Sequence, residues 1–397
     1  MFAYQKGSAL SLEDYCKEAI KEGIKIRKQS LQERFNKYAV EFMKSMVAYA
    51  LSVKLRVGEI KINFKFGRII IGDSTVFQLP ADFAKKYRGN GGGASKAAMK
   101  IQYCYDLLSQ QIIDICIQEG INTDSKYPLQ DLQKNDLRIE DLGYFKIQRI
   151  RDIHNADAFF LSRLRFDINI YVLKNGLYEQ FDLLKEVKKL KKGLVTSTEV
   201  YIGKNEKFPV RLVLEKVPSE VANEKRRKIK TDKQNKRKGL TKERLMFCDV
   251  NAFITNCDEE ILPTNLIRQC YSLRWQIEII FKAWKSIFKI DKVKQMKLER
   301  FECLHYGCLM LIIASTQLLM FYKHKYLYKQ NKEVSELKFF KLIVSLHEEL
   351  KIVLNKAKHK ISELIEQIDY MIERFCIKEQ KKNKLKPLKI LTNLKLT

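Results

Sequence analysis

Four side chains able to do chemistry are spaced along one segment, Cys270-Tyr-Ser-Leu-Arg-Trp-Gln-Ile-Glu-Ile-Ile-Phe-Lys-Ala-Trp-Lys285. At about 100° per residue, Tyr271, Arg274, Glu278 and Lys285 fall within about 60° of one another on a helix. Leu273, Ile277, Ile280, Trp284 and Ile287 form a separate apolar stripe. The spacing therefore predicts a helix from about Leu262 to Phe288 that packs on one side. Its other side presents one carboxylate, two cations and a phenol. Such a set is either a structural ion-pair network or a carboxylate at work among phosphate-binding groups. Trp275 lies off the apolar stripe, beside the polar face, where an exposed indole suits stacking on a nucleobase.

Two more carboxylates end apolar strands. Arg68-Ile-Ile-Ile-Gly-Asp73 and Leu137-Arg-Ile-Glu-Asp141 both read as strands that deliver an Asp to the edge of an α/β sheet. Glu140 alternates to the opposite face of its strand and is given no catalytic role. Asp106, Asp136 and Glu259 are the less favoured carboxylates. Gly89-Asn-Gly-Gly-Gly93 does not match the G-x-x-x-x-G-K-[ST] phosphate loop.

The elements that must hold these groups change texture along the chain. Residues 9 to about 55 read as helices, with Gly23 between two of them; a helix-turn-helix and an ordinary helical hairpin both fit. Ile60, Ile62, Phe64 and Phe66 alternate with polar residues as a strand does, and Lys100 to Asp106 is another strand candidate. A helix is expected over Gln110 to Glu119 and another from about Tyr144. Residues 165–245 look β-like, punctuated by Asn175-Gly176 and Gly203. Eleven Lys or Arg fall between Lys225 and Arg244, a run that suits a solvated loop in contact with phosphates. Leu245 to Cys248 is expected to resume a strand, and Leu304 to Tyr322 to be a buried core helix.

Composition narrows the function. The 397 residues carry 75 Lys+Arg against 47 Asp+Glu, a formal net charge of +28. That surplus calls for a polyanion, nucleic acid first and an anionic membrane surface second. The nine cysteines include no C-x-x-C pair and there are five scattered histidines, which argues against a disulfide framework or a His/Cys metal site. The start shows no secretory signal. A soluble, reduced protein is expected, with no membrane partner.

Tyr271-x2-Arg274-x3-Glu278-x6-Lys285 resembles the Y-x2-R-x3-E-x6-K signature of insertion-sequence-4-type DDE transposases. Arg68 to Asp73-Ser-Thr resembles the family's first-Asp strand, and Leu137 to Asp141-Leu-Gly-Tyr-Phe its second. The stretch from Gly89 to Asp106 resembles the segment after the first Asp, and the likeness covers about residues 10 to 325. Family members generally carry further residues ahead of the helical region that opens this chain.

The resemblance implies an α/β fold: a ribonuclease-H-like mixed sheet with flanking helices, interrupted by a β-rich insertion, plus N- and C-terminal helical regions. On that reading residues 1–58 are the N-terminal helical, DNA-contacting region, 59–164 the first part of the catalytic core, 165–245 the insertion, 246–325 the second part of the core, and 326–397 the C-terminal helices. Asp73, Asp141 and Glu278 would be the catalytic and metal-binding residues. Tyr271, Arg274 and Lys285 would grip phosphates, and Trp275 would stack on a displaced base. Two Mg²⁺ ions, with Mn²⁺ able to substitute, serve the two ends of an in-line phosphoryl displacement and need only hard oxygen ligands. The expected function is metal-dependent cleavage and strand transfer at insertion-sequence ends. The expected partners are double-stranded DNA, as transposon ends and target, and a second copy of the chain, in a bacterial cytoplasm at the nucleoid. A domesticated, non-cleaving DNA-binding descendant and a structure-specific nuclease are the competing readings.

Overall fold

A computed structural model of the chain describes residues 11–53, 65–191, 193–231, 240–330, 332–355, 360–379 and 387–394. The expected alternation at Ile60, Ile62 and Phe64 lies outside the described residues, as does the middle of the basic run. Three helices come first: α1 (Leu12–Lys21), α2 (Lys28–Arg34) and α3 (Lys37–Ser52). Ser11 and Asp14 close a reciprocal capping box at the start of α1. The chain leaves α1 through Gly23, whose φ of +79° few other residues adopt. Asn36 caps α3 by accepting from the N–H groups of Tyr38 and Ala39.

The central elements follow as β1 (Arg68–Leu79), β2 (Ala97–Asp106), β3 (Ile112–Glu119), β4 (Asp136–Glu140), α4 (Ile147–Asn155), β5 (Phe159–Arg163), β6 (Ile170–Lys174) and β7 (Leu177–Gln180). Then come α5 (Leu183–Lys189), β8 (Val195–Ile202), β9 (Phe208–Lys216), α6 (Ser219–Thr231), α7 (Lys242–Met246), β10 (Val250–Thr255), α8 (Ile267–Ser272) and α9 (Trp275–Ser286). The C-terminal part holds α10 (Leu298–Gln330), α11 (Glu336–Ser345), α12 (His347–Asn355), α13 (Ile361–Met371) and α14 (Pro387–Thr392).

The strands make one sheet in the order β3-β2-β1-β4-β5-β10-β9-β8-β6-β7. β1 runs antiparallel to β2 and β2 to β3, while β1, β4 and β5 run parallel. That five-stranded mixed half is the ribonuclease-H-like core. The β texture of 165–245 appears as β6 to β9, which continue the same sheet through the antiparallel β9–β10 and β10–β5 pairs.

Both faces of the sheet are covered, and alternate residues feed two cores. Leu161, Phe253 and Val213 enter the core shared with α3 and α8 to α13; Phe160, Ala252, Ile254, Leu212 and Leu214 enter the one shared with α4 and α5. Each fully buried branched side chain of this kind contributes roughly 1.5–3 kcal/mol through burial. α10 is a core helix, as its apolar run predicts, but it is longer. Its Leu298–Leu327 portion meets the length and composition of a membrane span, yet 61% of its most apolar window is buried within the protein. Buried Glu302 fixes it by accepting from the Tyr87 hydroxyl at 2.5 Å and from Lys86 Nζ at 2.8 Å.

Four local expectations are corrected. The described ends of the basic run are helical rather than loop, with Lys225 to Lys230 in α6 and Lys242 and Arg244 in α7. Gln110 to Glu119 is not a helix: Ile112, Ile113, Ile115 and Ile117 are β-branched and form β3. Gln110, at φ +59°, turns the chain into that strand. Leu245 to Cys248 is not a strand but the end of α7 and a 3₁₀ turn, because the Thr241 side chain caps a helix at Arg244 N–H. The helix expected over 262–288 begins after Pro263 and breaks at Leu273-Arg274, where i→i−3 bonds replace the regular ladder.

Candidate active site

Strand parity decides where the carboxylates point. Ile69 and Ile71 of β1, and Leu137 and Ile139 of β4, enter the core beneath α8 and α9. Asp73 and Asp141 share their parity. The last pair in the parallel register is Gly72 with Glu140, so the two aspartates are the next residue along each neighbouring chain segment. Glu140 faces the other way, as its alternation predicts, and is held there by Arg149 through two bonds of 2.6 Å.

The broken helix supplies the rest. Arg274, at the break, donates through Nη1 to Asp73 Oδ2 at 2.8 Å and through Nη2 to Glu278 Oε1 at 2.6 Å. Tyr271, ending α8, reaches Asp141 Oδ1 with its hydroxyl at 3.4 Å. Despite the break, the structure thus brings together Asp73, Asp141, Tyr271, Arg274 and Glu278. Trp275 is 59% exposed beside them, with the Arg274 guanidinium 6.0 Å from its ring centre. Lys285 sits two turns on, its Nζ 3.4 Å from the Val76 carbonyl of β1.

The charges in this cleft do not balance. Burial pushes the Asp73 carboxyl up to about 6; the Ser74 N–H and Arg274 oppose that rise, while Asp141 and Asp124 add to it. Burial, aided by Asp141, pushes the Tyr271 phenol up to about 12. Arg274 is the one cation bonded to the Asp73 and Glu278 carboxylates among the described residues. Among those residues no three carboxylate, imidazole or thiolate groups stand close enough to hold one ion. Arg274 sits between Asp73 and Glu278, doing the neutralising that a bound cation would do. The donors are all carboxylate oxygens, which suit a hard divalent ion.

The other carboxylates weighed from sequence are occupied. Asp106 accepts from the N–H groups of Ile69, Leu108 and Ser109, Asp136 pairs with Arg68, and Glu259 pairs with Arg211. Sequence reading missed Asp124, whose Oδ1 accepts from Ser74 Oγ at 2.8 Å and from Lys100 Nζ and Gln102 Nε2 at 2.9 Å. Its setting, Asn-Thr-Asp-Ser, reads only as a turn. The available signal was Lys100 and Gln102, polar residues on alternate positions of β2 that are 7% and 0% exposed.

Comparison with known proteins gives four findings. The family profile described as "Transposase DDE domain" matches residues 64–314. The transposase for insertion sequence element IS1151 of Clostridium perfringens is 36% identical over 93% of this chain and 82% of its own length. The transposase for IS231B of Bacillus thuringiensis subsp. berliner is 34% identical over 79% of this chain and 70% of its own. Among solved structures, a piggyBac transposase synaptic complex with hairpin DNA aligns with 98% of this chain and 76% of that one, at 14% identity and a TM-score of 0.48.

Proposed function

The chain belongs to the DDE-domain transposase family, and from that premise we propose which of its residues carry out the reaction. It is a DNA transposase, and membership in the family brings dependence on a divalent metal. We place it with the insertion-sequence-4-type members on its Tyr271, Arg274, Glu278 and Lys285 spacing. One observation carries the assignment: on one side of the sheet the Arg274 guanidinium bonds the carboxylates of Asp73 from β1 and Glu278 from α9, and the Tyr271 hydroxyl reaches Asp141 at the end of β4.

Asp73, Asp141 and Glu278 would hold the metal, as two Mg²⁺ ions or Mn²⁺ in their place. Bound metal supplies charge neutralisation at the attacking and leaving oxygens of an in-line displacement. In cleavage, a water oxygen bonds to the phosphorus at the element's end while the bond to the 3′ oxygen breaks, leaving a 3′-hydroxyl. In strand transfer, that hydroxyl attacks a target phosphodiester in the same sense. Arg274 would turn from the carboxylates to a DNA phosphate once other cations neutralise them. Lys285 and Tyr271 would position neighbouring phosphates, and Trp275 would stack on an unpaired base. The +28 surplus supplies general attraction to the duplex. The acting form would be a homodimer holding two element ends at the bacterial nucleoid.

Purified protein incubated with its own element's ends and Mg²⁺ or Mn²⁺ tests this reading. Strand cleavage should occur and should vanish in Asp73→Ala, Asp141→Ala and Glu278→Ala, while salt-sensitive DNA binding persists. Intact cleavage in any of the three removes that residue from the assignment.

A further inference from the structure

The back of the sheet carries a polar cluster that the reaction itself does not use. Ser74 follows Asp73 and so points to the opposite face of β1. Its hydroxyl donates to Asp124 Oδ1 at 2.8 Å, and its backbone N–H donates to Asp73 Oδ1 at 2.8 Å. One residue thus connects Asp124 with the first aspartate of the site. Gln102, paired with Ser74 in the β1–β2 register, donates to the same Asp124 oxygen and accepts from the Tyr144 hydroxyl. Tyr144 ends the short turn that starts at Asp141. In the middle of that turn is Gly143, where a Cβ would stand 3.0 Å from Asp124 Oδ2. The turn bearing the second aspartate therefore rests directly against Asp124.

Asp124 is itself held firmly. Lys100, paired with Val76 and almost fully buried, donates to it at 2.9 Å and to the Asn122 carbonyl at 2.5 Å. A buried lysine with a carboxylate partner is costly to move, because breaking the pair leaves an uncompensated charge. The backbone segments bearing Asp73 and Asp141 are in this way tied to one fixed point, from the side of the sheet away from the chemistry.

We propose that Asp124 is the positioning residue of the site: through Ser74 it orients Asp73, and through Gln102, Tyr144 and the close approach of Gly143 it sets the Asp141 turn, fixing how the two carboxylates meet a divalent cation. This rests on the assignment of Asp73 and Asp141 as metal ligands. Partners that orient ligands from behind typically change metal affinity by about 10–100-fold when removed.

The experiment is Mn²⁺ titration of the full chain without DNA, followed by the electron paramagnetic resonance of free Mn²⁺, alongside thermal melting. Ser74→Ala cuts the tie while leaving Asp124 bonded to Lys100 and Gln102. It should weaken Mn²⁺ binding about tenfold with little change in melting. Ser74→Thr, which keeps the hydroxyl, should restore the affinity, and Asp124→Asn should weaken it at least as much as Ser74→Ala. Parental Mn²⁺ affinity in both Ser74→Ala and Asp124→Asn overturns the proposal, and so does failure of Ser74→Thr to restore it. Asp73→Ala is the control for the underlying assignment: if it binds Mn²⁺ like the parent, the ligand reading fails. If it loses binding while Ser74→Ala and Asp124→Asn do not, only the positioning role fails.

Discussion

Two clusters of buried charge in this molecule are built in opposite senses. In the cleft, Asp73 and Glu278 share Arg274, Asp141 stands beside Tyr271, and the Asp73 carboxyl is pushed up to about 6. Where α10 meets α11 and the chain after α13, Glu336 is bonded by Lys323 at 2.5 Å and Lys378 at 3.1 Å, and Glu333 shares Lys378 at 3.5 Å. Burial there would raise the Glu336 carboxyl, but the two lysines hold it down to about 2. Both clusters are partly or wholly buried, so the difference lies in the sign of the imbalance. Excess carboxylate is a cost to the folded chain that an incoming cation relieves. Matched carboxylate and ammonium is a clasp that holds the C-terminal helices to the core.

The sharpest way to break this contrast is to remove one member from each cluster. Glu278→Ala should lower cleavage by more than about a hundredfold, beyond the effect of losing an outer partner, with little loss in melting temperature. Lys323→Ala should do the reverse: specific activity stays within about twofold, while urea denaturation shows a loss on the order of 3 kcal/mol from Glu336 left short of charge. Equal stability losses in the two variants would erase the distinction.

Asp73→Asn sharpens it further. A carboxyl whose pKa is raised on folding binds more protons in the folded state, so it lowers stability as pH rises from its unfolded value near 3.8 through about 6. Above that range the substitution should stabilise the metal-free protein by on the order of 1 kcal/mol while abolishing cleavage; chemical denaturation at pH 7.5 reads it. Glu336 has the opposite sign. Its contribution is complete above its unfolded value of about 4.5 and is lost as pH falls toward about 2, so Glu336→Gln should flatten the acid limb of the stability curve. The most local effect is at the rim: Trp275→Ala should leave melting unchanged and weaken binding to an unpaired end by about 1 kcal/mol.

Much of the site was legible in the sequence because its determinants are local. Apolar runs ending in Asp73 and Asp141, and a face repeated at helical spacing from Tyr271 to Lys285, are patterns of a few residues each. What stayed hidden depended on distant partners. Asp124 meets Ser74 across 50 residues and looks like any turn aspartate until β2 folds back beside β1. The break at Leu273-Arg274 was masked because a few i→i−3 bonds involve no glycine or proline and too few residues to disturb the periodic pattern. Gln110 to Glu119 was misread as a helix although its isoleucines favour a strand, since a short apolar run alone does not separate the two. The ribonuclease-H-like half came through the family resemblance. The joining of β6 to β9 onto that half is a pairing between strands far apart in sequence, beyond any local pattern.

That joining also sets the order in which the protein can be made. β5 finds its outer partner only in β10, where Phe253 pairs with Arg163, a separation of 253 − 163 = 90 residues. A nascent chain that has emerged through β5 carries an open edge until the ribosome has passed Thr255, and the loop between must close against its own entropy. Glu278 is synthesised later still. The enzyme is therefore without the third carboxylate of the proposed site during most of its own translation, and slow, long-range strand closure precedes the assembly of that site.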